Sequence, residues 1–125
     1  MKAGLTEIEI NGQRYVLKDS QSGAMAADCE GLAYSIIRAD RAGVFAGYVA
    51  HEEGDTVIMK NCRRLWYWNG AASLSEMAVC GVSKPADCKF PCAVPKIKIH
   101  GVIEIIQTTE KARLSIEAVA VWSKR

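Results

Sequence analysis

The sequence lacks most of the patterns by which a membrane protein or an enzyme is recognised. Its 125 residues contain no apolar run near the roughly 18 residues that a membrane-spanning helix requires. The motifs H-E-x-x-H, G-x-S-x-G, G-x-G-x-x-G and G-K-[ST] are all absent, which argues against the common hydrolase and nucleotide-binding sites. Because only two histidines are available as bases, we expect no catalytic site and no cofactor.

The chain also lacks a marked excess of either charge. Sixteen Lys+Arg residues against fourteen Asp+Glu residues give a net charge of +2, which by itself does not predict a nucleic-acid partner. The acidic excess lies in residues 1–30, so the rest of the chain is mildly basic. Glu7 and Glu9 lie where a secretory signal peptide would be apolar, so we expect no secretory signal.

The cysteines do not form the C-x2-C pairs that are typical of zinc sites. There are five of them: Cys29, Cys62, Cys80, Cys88 and Cys92. An odd number without an export signal favours reduced thiols over a disulfide framework. A zinc site built on Cys80, Cys88 and Cys92 with one further ligand is the alternative, and we expect no metal.

Period-two patterns predict a mostly antiparallel β domain with one main helix. Asn11-Gly12 between two β-rich runs predicts an N-terminal hairpin over 6–18, and a short helix follows over 24–31. Further strands are predicted over 34–38, 42–50, 56–68, 97–106 and 114–122, with a bulge near Asn61 and a kink at Gly101. The main helix is predicted over 71–79, with Ser73 as its N-cap and Gly81 at its end.

These elements predict an α+β fold in a single domain, residues 1–125. The order β-β-β-α-β-β favours a small barrel, OB-like or SH3-like, and an open α+β sheet has a similar pattern. Residues 1–32 form an N-terminal addition in this interpretation, and 33–125 form the core.

Two arginines beside three consecutive aromatic residues, Arg63 to Trp68, are the most informative stretch of the sequence. On a regular strand Arg64, Trp66 and Trp68 point one way, while Arg63 and Tyr67 point the other. This composition suits a protein-binding hot spot or a surface that stacks bases and holds phosphates. It also suits tryptophans in the core with arginine stems at the rim. The candidate binding residues are Arg38, Arg41, Arg63, Arg64, Trp66, Tyr67 and Trp68.

The pattern I-I-R at 36–38, A-G-V-F-A-G at 42–47 and R-R-L-W-Y-W-N-G-A at 63–71 resembles a family of small proteins encoded mainly by tailed bacteriophages and prophages. Ile105-Ile106 and Trp122 match further positions of that family, and Ala39-Asp40 replaces its usual Thr-Tyr. The resemblance covers about residues 34–122. It implies a phage origin and an intracellular site in a bacterium, and it supplies no catalytic residues.

We therefore expect a non-enzymatic phage accessory protein that binds a macromolecule in the cytoplasm of the infected bacterium. An inhibitor of a bacterial antiviral defence system is the concrete form of this hypothesis. A capsid-decorating virion protein and a small-barrel nucleic-acid-binding protein are the alternatives. A protein partner is favoured over nucleic acid, homo-oligomers are compatible with free sheet edges, and no membrane partner is expected.

Overall fold

The computed structural model describes residues 31–124, which form an α+β fold dominated by strands. The strands are β1 (Ala33–Ala39), β2 (Gly43–Glu53), β3 (Thr56–Arg64), β4 (Val94–Ile99) and β5 (Val102–Gln107). The helices are α1 (Leu74–Cys80) and α2 (Glu110–Ala118). A 3₁₀ turn, Pro85–Asp87, lies in the connection between α1 and β4. The predicted N-terminal hairpin and the helix over 24–31 lie outside the described residues or at their margin.

The five strands form one antiparallel sheet in the order β4-β3-β2-β1-β5. β4 and β5 lie at opposite edges, so the sheet is not closed and a barrel is not confirmed. The single kinked strand predicted over 97–106 is wrong, because His100 and Gly101 separate β4 from β5. The φ of +75° at Gly101 allows a sharp corner in place of the predicted kink. Asp40 N donates to Gly101 O at 2.8 Å, which ties this corner to the β1–β2 turn.

The bulge predicted near Asn61 is confirmed. Between the Ala46–Arg63 and Tyr48–Lys60 pairs, β3 has one more residue than β2, and Asn61 has a φ of +46°. Gly47 faces the bulge so closely that a Cβ there would lie 2.7 Å from the Cα of Cys62. The bulge is therefore compatible only with glycine at position 47.

The alternation of β1 buries side chains on both faces of the sheet. The larger cluster packs Tyr34 and Ile36 against Met77 of α1 and Ile116 of α2. The smaller cluster, on the other face, contains Ile37, Phe45, Met59 and Ile99. Both helices therefore cover one face, and the second face carries the smaller cluster, to which β1, β2, β3 and β4 all contribute.

The helix predicted over 71–79 is confirmed as α1, and its caps are those that the sequence indicates. The Ser73 side chain accepts from Glu76 N at 3.1 Å, and the Glu76 carboxylate accepts from Ala72 N at 2.6 Å. Gly81, with a φ of +80°, ends the helix and donates to Met77 O.

The strand predicted over 114–122 is wrong, because residues 110–118 form α2 instead. The Thr109 hydroxyl caps this helix by accepting from Ala112 N at 3.1 Å. Arg113 forms ion pairs with Glu110 and Glu117 and donates to the hydroxyl of Tyr48 on the sheet. These tertiary contacts and the burial of the helix outweigh the alternating pattern of the segment.

Candidate functional site

Arg63 lies in the core, although the sequence suggests it as a binding residue. Its side chain is 6% exposed, and its guanidinium donates to the carbonyl oxygens of Phe90, Pro91, Ile116 and Val119 at 2.7–3.1 Å. Burial lowers its pKa, and hydrogen bonds to carbonyl oxygens satisfy the buried charge. Arg63 therefore joins the loop before β4 to the end of α2 and is not available to a partner.

Arg64, the next residue, points to the opposite side of β3 and is exposed. Its guanidinium carbon lies 4.5 Å from the centroid of the Phe45 ring, and Nη1 donates to Ala42 O at 2.6 Å. The contact with the Phe45 ring and the one hydrogen bond to the β1–β2 turn together orient the guanidinium plane of Arg64. Within the described residues its other N–H groups have no acceptor, so they remain available to an external ligand.

Arg41 lies at the tip of the β1–β2 turn, where the backbone is strained. Ala42 N donates to Asp40 O at 2.8 Å, and Arg41 between them has a φ of +70°, which is rare for a residue with a side chain. Its side chain is exposed and has no ion-pair partner in residues 31–124. Such strain tends to occur at functional positions, and it makes Arg41 a candidate for binding.

The tryptophans do not fill the core as one interpretation expects. β3 ends at Arg64, so the alternation of a regular strand no longer holds beyond it. Trp66 is 64% exposed, whereas Trp68 is half-buried against the larger cluster, and Leu65 takes the core position. The exposed indole of Trp66 therefore stands out as an apolar surface that a partner would cover.

Arg41, Arg64, Trp66 and Trp68 line one concavity, which we name the Arg–Trp hollow. Its volume is about 280 Å³, and residues 42–44 and Leu65 complete its walls. Among the described residues the lining contains two guanidinium groups and no carboxylate. The hollow thus combines positive charge with two indole rings, a combination that binds an anionic group beside a flat or apolar one.

Two candidate residues lie apart from the Arg–Trp hollow. Tyr67 is turned toward Lys89, whose ammonium lies 5.8 Å from the Tyr67 ring and 5.7 Å from the Trp122 ring. Arg38 forms an exposed ion pair with Glu104 of β5 at 2.9 Å and does not line the hollow. The structure therefore brings together four of the seven predicted binding residues.

A second concavity of about 340 Å³ adjoins the first and shares Arg41 and Arg64 with it. Phe45 also lines this concavity, together with Lys98 of β4 and His100, which follows β4. Sequence reasoning missed Lys98 and His100, because nothing local indicates that the corner at Gly101 brings β4 to the β1–β2 turn.

The cysteines of the described residues are unpaired and occupy different environments. Cys80 and Cys92 are exposed, whereas Cys62 and Cys88 are buried. Burial raises the pKa of the Cys62 thiol to about 12, so it is protonated at neutral pH. In residues 31–124 no three His, Cys, Asp or Glu side chains are grouped to hold a metal ion.

No helix within residues 31–124 has the length and apolar character needed to cross a membrane. No curated protein and no solved structure gives a significant match to the chain. A family model described as "Domain of unknown function (DUF6948)" matches residues 32–116, a range that includes the whole Arg–Trp hollow. Because the match covers more than half of the 125 residues, the chain belongs to the DUF6948 family.

Proposed function

We propose that this chain is a non-enzymatic binding protein that holds an acidic surface of a protein partner in the Arg–Trp hollow. The observation that carries the proposal is the 64% exposure of Trp66 in a hollow that it shares with two arginines. Among the described residues, no aspartate or glutamate lines this hollow. Tryptophan and arginine are the residues most enriched in hot spots of protein interfaces. Arg64 is already oriented by Phe45 and Ala42, which lowers the entropy lost on binding.

The concrete form of the proposal is a phage accessory protein that inhibits an antiviral defence system in the bacterial cytoplasm. The similarity of residues 34–122 to proteins of tailed phages and prophages supports this setting. Binding rather than catalysis is supported by the absence of catalytic motifs in the sequence.

The first experiment is a plaque assay in bacterial strains that each carry one antiviral defence system. Expression of the full chain is expected to restore phage plating on one of these strains. The double variant Arg64→Ala, Trp66→Ala should lose this effect with a nearly unchanged melting temperature, since both side chains are exposed. The control variant Leu114→Ala removes another exposed apolar side chain, 54% exposed on α2, and should keep the effect. Restoration on no strain, or equal loss in the control, contradicts the proposal.

A nucleic-acid ligand is the second candidate, because indoles beside guanidinium groups also stack bases and hold phosphates. It fits the small-barrel interpretation of the sequence, and the two edge strands, β4 and β5, follow each other in the chain through the corner at Gly101. A photo-crosslinking residue at position 66, with position 114 as control, separates the candidates in infected cells. A crosslinked host protein supports the main proposal, crosslinked nucleic acid supports the second, and a crosslinked capsid protein in purified virions supports the virion alternative.

A further inference from the structure

The second concavity, of about 340 Å³, is lined by three cationic side chains and by no tryptophan of the described residues. The cations are Arg41, Arg64 and Lys98, and Asp40 is the one carboxylate among the described lining residues. Three positive charges against one negative charge leave a net charge of +2 at the concavity. This charge is the opposite of that of a phosphate monoester, which carries about −1.5 to −2 at neutral pH.

Arg64 is oriented at this concavity by contacts that leave most of its donors free. Its guanidinium carbon lies 4.5 Å from the centroid of the Phe45 ring, and Nη1 donates to Ala42 O at 2.6 Å. A guanidinium has five N–H donors, and within residues 31–124 the others have no acceptor. Because the side chain is already held in place, it loses little conformational entropy when an anion accepts from it.

The charges of Arg41 and Lys98 are not neutralised within the described part of the chain. Both side chains are exposed, and neither forms an ion pair with a carboxylate of residues 31–124. Asp40, although it lines the same concavity, lies within ion-pair distance of none of the three cations in this part of the chain. Cations that line one concavity without partners raise the local potential for an anion.

The backbone fixes the two sides of the concavity relative to each other. Asp40 N donates to Gly101 O at 2.8 Å, which ties the β1–β2 turn to the corner between β4 and β5. The ring of His100 at this corner shares a hydrogen bond of 3.2 Å with the hydroxyl of Thr56 on β3. The turn that carries Arg41 and the end of β4 therefore form one continuous rim, and cations on a fixed rim bind an anion at a lower entropic cost than mobile ones.

We propose that the second concavity binds the phosphoryl group of a phosphate monoester, with Arg41, Arg64 and Lys98 as its donors. A phosphoryl group has three terminal oxygens, so each cation donates to a different one. A carboxylate has two oxygens and a single charge, and it would leave one cation without a partner. Nucleotides and phosphorylated protein side chains both present this group. The site goes beyond the proposed function, because Lys98 does not line the Arg–Trp hollow and Trp66 does not line the second concavity.

Titration of the full chain with adenosine monophosphate and with phosphotyrosine at low salt, followed by ¹H–¹⁵N NMR, tests the proposal. Both esters should shift the amide signals of residues 40–43 and 98–101, which form the rim. Arg64→Ala and Lys98→Ala should each weaken binding about tenfold, since each removes a charge-assisted hydrogen bond. Lys111→Ala is the matched control, because it removes an exposed lysine on α2 that lines neither concavity, and it should leave the affinity unchanged.

The two esters distinguish the sources of the phosphoryl group. Tighter binding of adenosine monophosphate indicates a nucleotide, tighter binding of phosphotyrosine indicates a phosphorylated protein, and equal affinities indicate recognition of the phosphoryl group alone; each of these outcomes supports the site.

Two variants separate this site from the proposed function. Trp66→Ala should abolish the restoration of phage plating and leave the binding of inorganic phosphate unchanged, because Trp66 lines only the Arg–Trp hollow. Lys98→Ala should do the reverse. The proposal is overturned if neither ester binds, if acetate binds as tightly as the esters, or if Lys111→Ala weakens binding as much as Lys98→Ala. Loss of phosphate binding in Trp66→Ala also overturns it, since the anion would then lie in the hollow.

Discussion

Replacement of Arg63 by alanine should destabilise the fold strongly, and the magnitude follows from its four acceptors. The carbonyls of Phe90 and Ile116 keep a second donor, from Trp122 N and Val119 N. Those of Pro91 and Val119 have no other donor in residues 31–124. A buried carbonyl left without a donor costs about 1–3 kcal/mol, and Pro91 O is only partly buried whereas Val119 O is buried, so the two together cost roughly 3 kcal/mol. That is a large share of the roughly 5–15 kcal/mol that stabilises a domain.

Arg64→Ala is the matched control, because it removes the same side chain one position along the strand. This change removes one exposed hydrogen bond to Ala42 O and should lower the free energy of unfolding by less than about 1 kcal/mol. Urea denaturation followed by circular dichroism measures the free energy of unfolding of both variants, and in thermal denaturation Arg63→Ala should lower the melting temperature by about 15 °C. Arg63→Lys should recover only part of the loss, since one ammonium cannot reach four carbonyls. Equal stability of the two alanine variants would refute the structural role of Arg63.

Three more predictions follow from the backbone and the buried thiol. Arg41→Gly should raise the free energy of unfolding by about 0.5–1 kcal/mol, because glycine adopts a φ of +70° without strain. The same change should weaken partner binding. A lower free energy of unfolding in urea denaturation would contradict the strain at Arg41. Gly47→Ala should cost about 2–3 kcal/mol through the clash with Cys62, measured in the same way, and an unchanged stability would contradict the close approach. Burial raises the pKa of the Cys62 thiol from 9.0 to about 12, so the protonated thiol favours the folded state fully below about pH 9, and this contribution is lost as the pH rises toward 12. Denaturation at several pH values should therefore show a smaller loss of stability at alkaline pH for Cys62→Val than for the unchanged chain. An equal loss of stability in the two would exclude the thiol as its cause.

Local patterns were sufficient where one short segment decides the conformation. Ser73, Glu76 and Gly81 specify both ends of α1 by hydrogen bonds within a few residues, and this helix is confirmed. The bulge near Asn61 was predictable because a run of 13 residues is too long for a regular strand. The register shift between β2 and β3 confirms it. The segment 114–122 has the alternating pattern of a strand, and yet its first half is helical. The contacts that favour the helix, from Arg113 to Tyr48 and from Ile116 to the larger cluster, exist only once the sheet has folded, so no local pattern indicates them.

The binding surface required the tertiary structure. The sequence alone determined that arginines and tryptophans lie within a few residues of one another, and it predicted a binding role for both neighbouring arginines. Only the fold decided that Arg63 is buried by the loop before β4 and the end of α2, while Arg64 is exposed on Phe45. The physical reason is that burial depends on what packs against each face of β3, and those groups lie between 19 residues (Phe45 from Arg64) and 56 residues (Val119 from Arg63) away in the chain.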